Sequence, residues 1–262
     1  MKHIQVFLMQ CELSFMSAAI FRLNFVLMLA QSIINTLMGV VCVQFIYANV
    51  QAVAGWNKQE MMVLLSTSLI VNQLFRAFVN PNQLAFVQGI GSGAFDHILL
   101  RPLSIIYQIS AGKVDISALI SALAPAAVVA INLRAMAAAP SAARIAIFTM
   151  LCVFSLVLLS SFMLTLYSLS FWFVKASGLN NVYYMLMSFS EKPGEIFSKR
   201  GISMCFFYVI PAIPLANAPA RILLGKGNAS LILAHCAITA VFFLLAILAV
   251  KTGLRKYSGA SS

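Results

Sequence analysis

Residues 23–47 read LNFVLMLAQSIINTLMGVVCVQFIY, a run from Leu23 to Tyr47 without a single charged side chain. About 20 apolar residues in a helix cross the ~30 Å hydrocarbon core of a bilayer. The run is therefore long enough to span with tilt. Its amides, Asn24, Gln31, Asn35 and Gln44, are expected to face other helices, where they can find partners. Arg22 marks the boundary before it. The preceding segment, 1–21, carries apolar residues at near-helical spacing but is interrupted by Lys2, Gln5, Glu12, Ser14 and Ser17. That pattern predicts an amphipathic helix lying in the membrane interface, not a cleavable signal peptide.

Composition carries the same message across the whole chain. Apolar residues make up 62% of it and charged residues 9%, with a mean hydropathy of +0.97. A soluble domain holds about 45–50% apolar and about 25% charged residues. The 262 residues suffice for one membrane domain of about six helices. Seventeen basic and six acidic residues give +11, but the basic ones sit at the edges of apolar segments, where they meet lipid phosphates and set orientation. Nucleic acid is not implied. Five single cysteines, Cys11, Cys42, Cys152, Cys205 and Cys236, show no CxxC spacing and read as packing residues.

Further spans are expected at about 60–79, 114–133, 145–174 and 229–250. Between the second and third, residues 82–112 break the rhythm with Gly89, Gly91, Gly93, Asp96, Arg101 and Pro102, yet remain apolar enough for short surface helices. Leu179–Ser190 is apolar but short. The charged stretch Glu191 to Arg200 follows, and 202–224 holds Pro211, Pro214 and Pro219. Three prolines that close would leave several carbonyls unpaired in lipid. Both termini are basic and should share the cytoplasmic side, so the number of crossings is even. Six crossings result if 202–224 enters and leaves on one side, as its prolines permit.

Enzyme chemistry finds little support. Gly89-Ile-Gly91-Ser-Gly93 lacks a preceding strand, a Walker lysine and an acidic partner. No GxxxxGK[ST], GxSxG or HExxH occurs, and His3, His97 and His235 stand at no metal-ligand spacing. Glu191 and Glu195 are i,i+4 neighbours if helical, but they alternate with Lys192 and Lys199 and read as an interfacial charge cluster. Arg76 is the one charge well inside a span and, with Asn35, a candidate for the transport path. A stand-alone secondary carrier or channel is the alternative function; it would need buried coupling acids or an inverted repeat.

The stretch Gly93-Ala-Phe95-Asp96-His-Ile-Leu-Leu99… through Arg101-Pro102-Leu103 predicts a helix capped near Gly93, with Asp96 in its first turn and a stop at Arg101-Pro102. It resembles the G-x-L-D-x-x-L-L-R-P-L signature of six-span ABC-2-type transporter permeases, with Phe95 where leucine is common. Gly55-Trp56 with Glu60 resembles that family's G-W-x-x-x-E. Val209-Ile210-Pro211, Ala218-Pro219-Ala220 and Leu223-Leu224-Gly225 resemble its V-I-P…x-P-A…L-L-G region. Gly253-Leu254 with Tyr257-Ser258 resembles its G-L-x-x-Y-S ending. The departure is Glu191-Lys192-Pro193, where relatives carry an aromatic before the proline.

The resemblance implies a single all-α transmembrane domain, residues 1–262, that forms the path of an ATP-driven exporter in a bacterial cytoplasmic membrane. It implies a dimer with a second copy or a sister permease, and separate ATPase subunits that hold ATP and Mg, so that this chain binds no cofactor and is not itself an enzyme. The interfacial helix with Glu12 and the region holding Gly93, Phe95, Asp96, Leu99, Arg101 and Pro102 would receive the ATPase. The hairpin 191–226, with Pro193, Pro211, Pro214 and Pro219, would form the outer gate.

Overall fold

The computed structural model describes residues 2–20, 22–100, 104–136, 139–173, 178–197 and 200–257. The described residues form helices and no strands. Helix α1 (Lys2–Ile20) leads into α2 (Arg22–Asn49), and α3 (Lys58–Phe78) follows a tight turn. Short helices α4 (Asn80–Ser92), α5 (Phe95–Leu99) and α6 (Ile105–Ala111) come next. The third apolar run is split into α7 (Ile116–Ser121) and α8 (Leu123–Arg134). Then come α9 (Ala142–Tyr167), α10 (Leu179–Ser190), α11 (Arg200–Met204), α12 (Ala212–Leu223) and α13 (Ala229–Lys256).

Five helical stretches are long and apolar enough to cross a membrane: Arg22–Asn49, Lys58–Phe78, Ile116–Arg134, Ala142–Phe171 and Ala229–Lys256. A sixth arises if the pair Gly201–Val209 and Ala212–Leu223, bent by 91°, is counted as one span. The all-α integral membrane class is borne out.

Helix α3 is the hub, packed by α2, α7, α8, α9, α10 and α12. Its buried face is unusually polar: Ser66, Thr67, Ser68 and Gln73 are all shielded. Each hydroxyl or amide that pairs does so locally or across a helix contact. Thr67 donates to the Val63 carbonyl (2.7 Å), Gln73 donates to Ser32 Oγ (2.7 Å), and Ser68 meets Ser190 at 2.5 Å. In hydrocarbon such pairs, with close van der Waals packing, hold helices together.

Several boundaries differ from expectation for identifiable reasons. The third span breaks at Ala122 because Pro125 has no N–H to give the Ser121 carbonyl, while Asp115 caps the first piece through Ser117 and Ala118 N–H. The fourth begins earlier, capped by Ser141, and ends in a 3-10 turn, Ser168–Phe171; Val174 lies outside the described residues. The last span runs on to Lys256.

The three clustered prolines do not each cost a hydrogen bond. Pro211 precedes α12 and Pro214 sits in its first turn, where the N–H has no intrahelical partner anyway. Only Pro219 interrupts the ladder. Every residue from Ala212 to Ala220 is buried, so protein, not lipid, covers the freed carbonyl.

Helix α10 alone is about 18 Å long, too short to cross. It runs antiparallel to α3, however. Tyr183 meets Asn72 and Phe75, Ser190 meets Ser68, and Glu195 meets Trp56 just before α3 begins. Residues 183–195 thus climb about 24 Å along α3, helix first and then a 3-10 turn behind Pro193.

The four amides of α2 do not face other helices of the chain. Asn24, Gln31, Asn35 and Gln44 are exposed; the buried positions are Ser32, Thr36 and Val43, about a quarter turn away from Asn35 and its neighbours.

Candidate functional site

The motif stretches, far apart in sequence, gather at opposite ends of the bundle. One end holds the turn between α2 and α3. Val53 and Trp56 exchange two backbone hydrogen bonds of 3.0 Å around Ala54 (φ 50°) and Gly55 (φ 81°). Positive φ at both central residues is what a two-residue hairpin turn requires, and Gly55 adopts it freely. Tyr47 donates to the Trp56 carbonyl (2.7 Å), and the Trp56 ring is buried.

Around that ring the hairpin 191–226 closes. Trp56 Nε1 donates to Glu195 Oε2 (3.1 Å), and Glu195 pairs with Arg221. The Arg221 guanidinium and Lys226 ammonium lie 5.8 and 5.5 Å from the indole centre, within cation–π range. Lys226 also donates to Glu60 Oε2 (2.6 Å) and the Gly55 carbonyl (3.3 Å). Glu60 completes a capping box with Asn57 at the start of α3.

Beneath the charges, Asn217 accepts from Gly194 N–H (2.9 Å) and donates to the Lys192 carbonyl (3.0 Å). Both arms of the hairpin are therefore tied at one level, and 191–226 leaves and returns at the same end. A Cβ on Gly225 (φ 72°) would come within 2.8 Å of the Arg144 guanidinium, so Arg144 has a place at this end too.

Pro193 is buried and leads into the 3-10 turn Gly194–Ile196. Glu191 and Glu195 do not share a helical face, because α10 ends at Ser190. Lys199 lies outside the described residues.

The other end is aromatic. Phe95, fully buried, contacts Phe86, Phe171 and Tyr257 with ring centroids 5.4, 5.8 and 5.1 Å apart, all edge to face. These rings come from α4, α5, the turn after α9 and the residue after α13. A Cβ on Gly253 would fall 2.1 Å from the Phe171 ring, so glycine lets α13 approach. The phenylalanine that departs from the leucine-bearing signature is the ring the other three surround. Burial, and then the neighbouring Asp96 carboxylate, push the Tyr257 hydroxyl pKa up.

Gly93 (φ 77°) closes α4 as its left-handed cap, and Ala94 beside it is the N-cap of the next helix. Helix α5 is five residues, with Asp96 in its first turn and Leu100 as its C-cap. Its exposed side includes His97, Leu99 (41%) and Leu100 (82%), an apolar knob beside one imidazole. Arg101 and Pro102 lie outside the described residues. Gln108 Nε2 holds the Ile98 carbonyl (3.2 Å), and Asn82 Nδ2 bridges the Phe78 and Lys113 carbonyls.

Helix α1 joins this end. Tyr107 donates to Gln10 (3.2 Å), and Val114 N–H donates to Ser14 Oγ (3.4 Å). A cleft of about 580 Å³ opens beside these contacts, lined by Ser17, Asn24, Lys113 and Asp115. Glu12 is exposed on α1.

A family model described as ABC-2 family transporter protein matches residues 33–261. The chain belongs to the ABC-2 transporter family. Neither a curated protein nor a solved structure matches it. As an ABC-2 protein it is a multi-pass membrane permease of an ABC transporter.

The permease brings its expected residues together unevenly. Gly93, Phe95, Asp96 and Leu99 share one end. Pro211, Pro214 and Pro219 belong to the buried helix α12 and its start, with Pro193 on the opposing arm of the hairpin. Arg76 lies half-buried in the last turn of α3 near Tyr183, and Asn35 faces away from the bundle. Lys226, Arg221 and Asn217 at one end and Phe171 at the other take part without any sequence signal. Their partners lie far along the chain, and no local spacing announces such pairs.

Proposed function

We propose that this permease is the membrane subunit of an ATP-driven exporter, working as a dimer with separate ATPase subunits that carry ATP and Mg. The aromatic end faces the cytoplasm and the Trp56 end faces outward, in a bacterial cytoplasmic membrane. Binding no nucleotide itself, the chain is not an enzyme. The observation that carries this reading is α5. Phe95 locks it to α4, to the end of α9 and to the end of α13, while Leu99 and Leu100 project.

A short helix fixed to several spans and apolar on its free side is a lever. Force applied to Leu99 and Leu100 is delivered to α9 and α13 without being absorbed by a loose loop. Helix α1, tied on by Gln10 and Ser14, brings the exposed Glu12 to the same end. At the far end, the Glu195–Arg221 and Glu60–Lys226 pairs hold the hairpin 191–226 over the bundle as the outer gate. These pairs are partly solvated and worth at most about 1 kcal/mol each, which suits contacts that open and re-form.

The test is co-purification of the tagged full chain in mild detergent. A nucleotide-hydrolysing subunit is expected to remain bound, and Leu100→Glu should remove it while the permease keeps its thermal transition. Replacing Asp96 and Arg101 should weaken retention as well. Transport by the purified chain without any ATPase would favour the secondary carrier and end the proposal.

A further inference from the structure

Helix α2 carries a row of side chains that its own chain leaves uncovered. Gln31, Asn35, Met38, Cys42, Phe45 and Asn49 follow one another at intervals of four, three, four, three and four, and all are exposed. That spacing is the a/d period of two helices crossing with a left-handed supercoil, and among the exposed stripes of α2 this one carries both mid-span amides, Gln31 and Asn35. The buried face of α2 lies about a quarter turn away and is already satisfied: Ser32 accepts from Gln73, and Gly39 lets Leu65 approach.

Asn35 stands midway along Arg22–Asn49, so its amide sits near the bilayer centre. Gln31 is one turn away. Neither makes a side-chain hydrogen bond among the described residues, and lipid offers none. Polar side chains at such depth turn inward to protein or water.

From this we infer that the seam pairs with the same seam on a second copy of the chain. The inference rests on the reading of the permease as a dimer and names the surface. A two-fold axis along the membrane normal sets each residue opposite itself. An amide both donates and accepts, so Asn35 can pair with Asn35 of the second copy and Gln31 likewise, which a row of like charges could not do. Asparagine at an a position also fixes register, because any slip leaves the amide facing an apolar side chain.

Cys42 lies one heptad beyond Asn35 and is a built-in reporter. Self-pairing brings two Cys42 Cα atoms to about 6 Å, within disulfide reach. Membranes holding the full chain are oxidised with copper phenanthroline and run on a non-reducing gel. The expected product is an adduct at twice 28.5 kDa. It disappears in Cys42→Ala and persists in Cys236→Ala.

In the Cys42→Ala background, Asn35→Cys restores the adduct and Gln44→Cys, on the far side of α2, does not. Replacing Gln31 and Asn35 by Leu should slow the native adduct by about threefold per amide. An adduct from Gln44→Cys alone, or one containing a different permease, overturns the inference. So does the lack of any seam adduct from a sample that still purifies as a dimer with its ATPase. If that sample holds neither dimer nor ATPase, the functional reading fails along with it.

Discussion

The two ends of the permease solve the same assembly problem with opposite chemistry. Each gathers segments that lie far apart in sequence around one large aromatic residue. At the Phe95 end the neighbours are other rings packed edge to face, with Gly253 against Phe171. At the Trp56 end the neighbours are Glu195, Arg221, Lys226 and Glu60, and the ring is held by an indole hydrogen bond and two cations. Ring packing is short-ranged and indifferent to salt, so it makes a stiff joint. Partly solvated ion pairs are weak and replaceable by water, so they make a joint that can part. The lever and the gate proposed above would need those two properties in that arrangement.

The stiff joint is most vulnerable at Phe95. Phe95→Ala empties the centre of the aromatic cluster and should cost about 3–5 kcal/mol, seen as a large drop in thermal stability and lost ATPase retention. Gly253→Ala drives a methyl into Phe171 and should cost about 3 kcal/mol at the same end, with the Trp56 end untouched. Phe95→Leu, which restores the residue common in relatives, should keep stability and retention with a cost of about 1 kcal/mol.

At the other end the largest effect belongs to a neutral side chain. Asn217→Ala leaves Gly194 N–H and the Lys192 carbonyl unpaired and should cost about 2 kcal/mol, equally in low and high salt. Glu195→Gln should cost less than about 1 kcal/mol, and salt at about 0.5–1 M (roughly a 3–4 Å Debye length) should erase the difference from wild type. If the order of these two were reversed, the charged joint would be the stiff one.

The smallest effect is in pH. The folded state raises the Tyr257 pKa above its usual value near 10, so its contribution is intact below about pH 10 and is lost as pH rises through the folded pKa. A denaturation series between about pH 9 and 11 should show that loss in the wild type and a flatter curve in Tyr257→Phe.

Much of the fold is legible in the sequence because lipid imposes a length and a polarity that a chain must show locally. The helices Arg22–Asn49, Lys58–Phe78 and Ala229–Lys256 need no partner to be recognised. The breaks are less legible. Gly93 reads equally well as the end of one helix or the start of the next, and only the backbone at φ 77° decides. Polar groups avoid lipid, so the α2 amides are expected to turn inward; helical rotation places them outward instead, Gln31 and Asn35 on one stripe and Gln44 on the opposite side. Glu191 and Glu195 lose their helical spacing because α10 stops one residue before Glu191.

What the sequence alone determined is the membrane class, the number and rough limits of the long spans, and the motif stretches that mark the family. These are properties of short windows, set by apolar length and by order along the chain. Tertiary structure decided which of those stretches meet: Trp56 with Glu195 and Lys226, and Phe95 with Phe171 and Tyr257. Such contacts depend on helix rotation and on how closely glycine and alanine let backbones approach, and neither is written in any one window.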